Sequence, residues 1–420
     1  MTADTAVQDG NKYSHYTHDP SAVPPRNGHF APNTQPQTFP KPTVIGIYGI
    51  SGSGKSFILD ILRNNLDPAH FILFEGSEVI DSLGPGGLSA FRASTEEEQS
   101  KFRIQAINSI KNETSKSGKT AVVTGHLIFW SEIDDAPEAV YTSEDLDIPI
   151  ETISRRLCRQ HGILFLAVSE AKGLIPKLEG LVHHFSQPAT AEDNIAMVRA
   201  QIDQILALPC NEELETVLVL DGDKTLAAKD TGALFWQELA RTRPASDECP
   251  LKDLFSCPMG YSDMAFRQAT LLYEEAVDDK DFDTICQIVA SSVTLHPEIV
   301  SVLGLIAEQK HVGAIVVTCG IGLVWNKVLE RYGLSDAVKV IGGGRISDGF
   351  IVTASVKAFI VSHLQDAAHL YVWAFGDSPL DIPMLEKADQ AIVVVGKEKT
   401  RSSTMDSTVS EAIDKGELQA

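Results

Sequence analysis

Two series of short, β-branched apolar runs, each run of strand length and separated from the next by helix-period stretches, constrain this chain more than any other feature. The first series reads "TVIGIYGI", "FILFEG" (71–76), "TAVVTGHLIFW" (120–130) and "GILFLAV" (162–168). The second reads "ETVLVL", "GAIVVT" (313–318), "AVKVIG" (337–342), "LYVWAFG" (370–376) and "QAIVVVG" (390–396). Continuous apolar runs are what strands buried on both faces require, and alternation with helices gives parallel sheets. The expected fold class is therefore α/β, with two parallel-sheet domains. Residues 43–210 form the first domain, 211–400 the second, and the crossing lies near 205–214. Residues 1–42, rich in Pro, Asn, Gln, His and Thr without periodicity, read as a disordered tail, and 401–420 as a polar C-terminal tail or weak helix.

Composition removes several classes of function. The formal charge of −22 disfavours a phosphate backbone as partner, so nucleic acid is not the expected ligand. The six cysteines, Cys158, Cys210, Cys249, Cys257, Cys286 and Cys319, form no CxxC pair, which fits reduced thiols and a cytoplasmic location. No apolar run reaches the roughly 18 residues of a membrane helix, and the N-terminus lacks a secretory pattern.

Each series carries one chemistry-bearing loop. "GISGSGKS", Gly49 to Ser56, follows the first strand and opens a helix, fitting G-x-x-x-x-G-K-[ST]. Its backbone amides and the helix dipole suit phosphate oxygens. Gly49, Gly52, Ser53, Gly54, Lys55 and Ser56 are the nucleotide-binding candidates, Lys55 for the β/γ-phosphates and Ser56 for Mg2+. In the second series "VLVLDGDKT" ends a strand on Asp221 and Asp223. Two carboxylates this close repel unless a hard cation joins them. One can then act as nucleophile and the other as general acid/base.

The upstream half resembles P-loop small-molecule kinases of the adenylylsulfate-kinase and gluconate-kinase type. That resemblance implies ATP, and an acid after the second strand, for which Glu75, Glu78 and Asp81 are candidates. It also puts Thr124 and His126 beside the phosphates. The segment 131–161 is shorter than in such kinases, with Arg155, Arg156 and Arg159 left to supply lid charge.

Over 216–396 the chain resembles the haloacid-dehalogenase (HAD) superfamily of phosphatases, because separated elements appear in order. Asp221 matches the nucleophile, Asp223 the acid/base, and Thr225 belongs to the same motif. Thr318 in "IVVTCG" matches the phosphoryl-binding hydroxyl, and Lys357 in "SVKAFIVSHL" the charge-neutralising lysine. "AFGDSPLDIPML" supplies Asp377 and Asp381. The resemblance implies a Rossmann-like domain, a Mg2+ site at Asp221, Asp223, Asp377 and Asp381, and a helical cap over about 233–300. Within the family, phosphoserine phosphatase is most similar. That implies Asp230, Met259, Phe266 and Gly320 as substrate candidates, while the position of its carboxylate-binding arginine reads Tyr273.

The expected molecule thus pairs an ATP-binding P-loop domain with a Mg2+-dependent phosphatase for a small phosphorylated metabolite. A phosphatase with a nucleotide-sensing P-loop half and a polynucleotide kinase/phosphatase are the alternatives. "VIGGGRISDGF" (340–350) reads as a turn, His183-His184 as surface, and Trp236, Trp325 and Trp373 as core.

Overall fold

The computed structural model describes residues 43–49, 53–125, 128–130, 137–139, 150–168, 173–186, 190–242, 249–395 and 403–415. The expected N-terminal tail, Gly52, His126 and part of the expected cap lie outside them. Lys41–Ala420 form one compact unit.

The architecture is α/β, as the alternation requires. The first sheet has three parallel strands, β1 (Val44–Tyr48), β2 (Phe71–Glu75) and β3 (Thr120–Gly125), in the order β1-β3-β2. The helix Lys55–Asn65 starts after Gly54 at φ 82° and buries Ile58, Leu59 and Leu62, one stripe at helical spacing. The helix Glu96–Ser117 opens on a Thr95/Glu98 capping box and stops at Gly118, φ 66°. The run 120–130 breaks after β3. Its end, β4 (Ile128–Trp130), pairs antiparallel with β5 (Pro137–Ala139) as a separate ribbon.

The expected strand at 162–168 does not form. Its backbone groups are taken by side chains instead. Gln268 accepts from the Phe165 N–H at 2.8 Å and donates to its carbonyl at 2.7 Å, and Glu275 accepts from the Ala167 N–H at 3.0 Å. An extended apolar run satisfied in this way needs no sheet partner.

The second sheet has five parallel strands: β6 (Thr216–Leu220), β7 (Val312–Thr318), β8 (Val338–Gly342), β9 (Tyr371–Gly376) and β10 (Gln390–Val393). Their order is β10-β9-β6-β7-β8. β6 and β7 are buried on both faces. Leu218, Leu220, Ala314 and Val316 enter one core with Phe235, Leu272, Cys286 and Trp325. Val217, Val219, Ile315 and Val317 enter the other with Ile360, Val361 and Leu364. The helix Ala191–Leu206, on the upstream side of the expected crossing, buries Val198 and Ile202 in this second core. The helix Ser403–Asp414 seals the same core with Met405 and Ala412.

Trp236 and Trp325 are core as expected, but Trp373 is 36% exposed. On β9 the odd-numbered residues Tyr371 and Trp373 face outward beyond the reach of the first core, while Val372 and Ala374 fill the second. Among the described residues five helices fall between β6 and β7: Thr231–Thr242, Pro250–Ser256, Asp263–Ala276, Asp279–Ser292 and Pro297–Ala307, the first four within or overlapping the span where a cap was expected. The neighbours β9, β6 and β7 all end on the same edge. That edge is where an open α/β sheet places its ligands.

Candidate active site

Asp221 is the first residue beyond β6, fixed by its N–H donating to the Phe375 carbonyl at 2.9 Å. Gly222 follows because a side chain there would meet the indole of the fully buried Trp325, 2.5 Å from its Nε1. Lys357 projects from the second turn of the helix Ala354–Asp366 and is itself buried, 1% exposed. Its ammonium donates to Asp221 Oδ1, and to Asp381 Oδ1 at 2.6 Å. One cation thus serves two buried carboxylates. Burial disfavours the ammonium, yet Asp221, Cys319 and Asp381 around it hold its pKa well above the ordinary lysine value.

The loop after β9 supplies the rest. Asp381 Oδ2 accepts from the N–H of Asp377 at 3.2 Å, the N–H of Ser378 at 3.0 Å and the Ser378 hydroxyl at 2.8 Å. Gly376 is needed for this wrap: a Cβ there would stand 2.3 Å from the Asp381 Cβ. Every Asp381 oxygen is therefore engaged, which makes it the organiser of the loop. Asp377 keeps one oxygen on the Thr225 hydroxyl at 3.1 Å. Burial, then the charge of Asp381, push its carboxyl up to about 6.

Asp221, Asp377 and Asp381 each bring a carboxylate oxygen within 4.8 Å of the others. Three carboxylates against one ammonium leave a negative excess in a low-dielectric pocket, and oxygen donors of this kind fit a hard divalent cation. Asp221 and Asp377 are the members with oxygen to offer it. Asp223 is not in this group. Its Oδ1 accepts the Thr231 N–H at 2.8 Å, at the start of the helix Thr231–Thr242. Burial, then the charge of Asp230, raise its carboxyl to about 7.

Thr318, 1% exposed at the end of β7, accepts the Gly320 N–H on its hydroxyl at 3.0 Å. Gly320 lies under Asp223: a Cβ there would be 2.8 Å from Asp223 Oδ2. Asp230 caps the helix that follows it, accepting the Ala233 N–H at 2.9 Å. Phe266 is buried in an aromatic group with Phe255 and Tyr261 at 5.1 and 6.3 Å, and Met259 packs at the margin of the same core. Tyr273 is buried against Trp236, their rings stacked at 5.5 Å.

At the upstream loop Lys55 Nζ donates to the Gly49 carbonyl at 2.9 Å and to Ser53 Oγ at 3.2 Å, folded over its own loop. The Ser56 hydroxyl donates to Glu75 Oε1 at 2.7 Å, so of the three acids proposed after β2 it is Glu75 that meets the P-loop. Asp81 instead accepts the Leu88 N–H at 2.7 Å. Thr124 lies between Ile47 and Glu75 in the sheet register, with a buried hydroxyl that has no partner among the described residues. Arg155, expected to supply lid charge, pairs with Glu275 on the helix Asp263–Ala276 at 2.5 Å.

The sequence reading passed over Arg345. Set in the glycine-rich loop read as a simple turn, it is 7% exposed and donates to the Tyr273 and Val277 carbonyls, both at 3.0 Å. It also pairs with Glu274 at 2.8 Å and Asp279 at 2.7 Å. A lone arginine in a glycine loop carries no periodic signal, so only its partners reveal it.

Residues 218–386 match a family model described as haloacid dehalogenase-like hydrolase, and residues 48–161 match one described as an AAA domain. No curated protein sequence matches the chain. Among solved structures, a phospho-aspartyl intermediate analogue of phosphoserine phosphatase aligns with 48% of this chain and 99% of its own, at 15% identity and a TM-score of 0.31. A phosphoserine phosphatase from T. onnurineus in complex with NDSB-201 aligns over 49% and 97%, at 19% identity and a TM-score of 0.31. A protein of unknown function from Bordetella pertussis Tohama I aligns over 48% and 96%, at 18% identity and a TM-score of 0.36. Identities and scores this low transfer no substrate. The chain thus matches a haloacid dehalogenase-like hydrolase model over 218–386 and an AAA-domain model over 48–161.

Proposed function

We propose that the chain is a Mg2+-dependent phosphomonoester hydrolase for a small phosphorylated metabolite, with an ATP-binding P-loop half. The observation that carries this reading is the buried set in which Lys357 bridges Asp221 and Asp381 while Asp377 stands beside them. Such a set is poor packing and good phosphoryl chemistry.

Asp221 is the nucleophile: its carboxylate attacks the phosphorus, and an aspartyl-phosphate forms as the ester bond breaks. Asp223, poised at about 7, gives its proton to the leaving alcohol and then takes one from the attacking water. Lys357 and the Thr318 hydroxyl hold the equatorial oxygens. A cation held by Asp221 and Asp377 would neutralise phosphoryl charge and bring the dianion against a carboxylate nucleophile. In the upstream half Lys55 is suited to the β/γ-phosphates. Ser56 with Glu75 is suited to the cation that accompanies them.

The decisive test is phosphate release from a panel of small phosphomonoesters, with Mg2+ and with EDTA, by wild type and Asp221→Asn. Release that needs the metal and disappears in the variant is expected. Folded wild-type protein that hydrolyses nothing sinks the reading.

A further inference from the structure

The helix Asp263–Ala276 carries Phe266 and Tyr273 in the cap, and the other half of the chain grips it. Arg155 Nη2 donates to Glu275 Oε1 at 2.5 Å, and its guanidinium lies over the Phe165 ring at 5.1 Å. The second Glu275 oxygen accepts the Ala167 N–H at 3.0 Å. Gln268, 2% exposed, exchanges two hydrogen bonds with the Phe165 backbone. Lys177 Nζ donates to the Glu274 carbonyl at 2.9 Å. The Glu274 side chain meanwhile takes Arg345 at 2.8 Å and the Ile346 N–H at 2.9 Å. Residues 274 and 275 therefore tie one turn of one helix to both halves.

That turn sits next to the chemistry. Tyr273, one residue back, brings its hydroxyl within 3.5 Å of where a Cβ on Gly232 would be. Gly232 follows Asp230, which caps the helix Thr231–Thr242, and Thr231, whose N–H holds Asp223.

The grip also reaches the P-loop. Lys177 stands on the helix Leu174–Ser186, whose Leu174, Ile175, Leu178 and Val182 pack in one core with Ile58, Leu59 and Leu62 of the helix that begins at Lys55. Asn65 donates to Glu179 at 2.5 Å across the same contact. One helix thus touches the phosphate-binding helix with its apolar face and the cap helix with a lysine.

We propose that the upstream half braces the phosphatase cap, with Arg155, Lys177 and the 165–167 backbone positioning the cap helix over the Asp221 site, so that nucleotide on the P-loop alters ester binding there. The kinetic part rests on the hydrolase reading above. The brace itself does not. Coupling of this kind is reciprocal, and the usual range is five- to 150-fold in affinity. Two adjacent anchors on a helix that already has a third, at Arg345, place this one at the lower end.

The test uses the full chain with Arg155→Met and Lys177→Met, which keep the stems and remove the charges. Hydrolysis of a phosphomonoester from the panel gives KM and kcat. Deuterium exchange follows the amides of 263–276, with and without Mg·AMP-PNP. KM is expected to rise about fivefold with kcat nearly unchanged, and exchange in 263–276 to quicken. A fall in kcat alone would mean only fewer folded molecules and would overturn the positioning role. So would unchanged KM with unchanged exchange. Wild type that turns over no ester sinks the hydrolase reading, while the exchange still decides the brace. Mg·AMP-PNP should change exchange in 263–276 of the wild type and lose that effect in Lys177→Met. No calorimetric binding, or binding without a change in exchange, overturns the nucleotide link.

Discussion

Lys357 is the residue on which the downstream site turns. It is a fully buried ammonium between two carboxylates, and removing it would leave both without a counter-charge. Breaking a buried ion pair on one side costs about 3–5 kcal/mol. Lys357→Ala should therefore lower the unfolding free energy obtained by urea titration by about 3–5 kcal/mol and abolish phosphate release. A variant as stable as wild type would show that the carboxylates were not ionised together. The neighbouring acids make a second prediction, about pH. Asp223 and Asp377 sit at about 7 and about 6, above the ordinary 3.8. A raised carboxyl contributes stability that is present below its unfolded value and lost as pH rises through the folded one. Protein held in EDTA should thus melt at lower temperature at pH 8 than at pH 5. Mg2+, which competes with those protons, should stabilise most at the alkaline end of that window. Calorimetry on wild type and Asp223→Asn checks both, since the variant should lose part of the slope.

At the scale of elements, two amide side chains complete the backbone hydrogen bonds of irregular segments, one of them, 162–168, a run the sequence pattern assigned to a strand. Gln268 pairs with the Phe165 backbone, and Asn194, 4% exposed, does the same for Ile351: it donates to the carbonyl at 3.0 Å and accepts from the N–H at 2.9 Å. Each pins an irregular segment to a helix. Asn194→Ala leaves a buried donor and a buried acceptor unmet, at roughly 1–3 kcal/mol for each group. A destabilisation of about 3 kcal/mol is expected by urea titration, with no change in KM because the helix Ala191–Leu206 lies in the core opposite the cap. The five strands of the second sheet were legible, though not their order, because parallel strands need unbroken apolar runs. The run at 162–168 misled because an apolar, β-branched stretch looks the same whether a sheet edge or a glutamine completes its hydrogen bonds.

For the whole molecule, the proposed nucleotide site makes a prediction about stability. Among the described residues no helix is long and apolar enough to cross a membrane. Binding restricted to the folded state stabilises by mass action, about 2.7 kcal/mol at a hundredfold excess over Kd. Mg·ATP should therefore raise the unfolding temperature, and Lys55→Ala should remove that rise while leaving Asp221-dependent hydrolysis measurable. A shift that survives Lys55→Ala would place the nucleotide elsewhere.

The two parallel sheets and the loop after each first strand were written in the sequence, and the resemblance to haloacid-dehalogenase phosphatases grouped Asp221, Asp223, Thr318, Lys357, Asp377 and Asp381. The sheets, the loops and the Asp221/Asp223 pair follow from local rules: burial pattern, glycine spacing and charge repulsion between neighbours in the chain. It took the folded chain to show that hydrogen bonds engage both Asp381 oxygens, that burial with Asp230 nearby raises Asp223, and that Glu75 meets Ser56. Only there does Arg155 meet Glu275 and Arg345 sit buried against the Tyr273 and Val277 carbonyls. Those assignments depend on which groups meet across long separations in the chain, and no period or spacing in a sequence encodes the distance between Arg155 and Glu275.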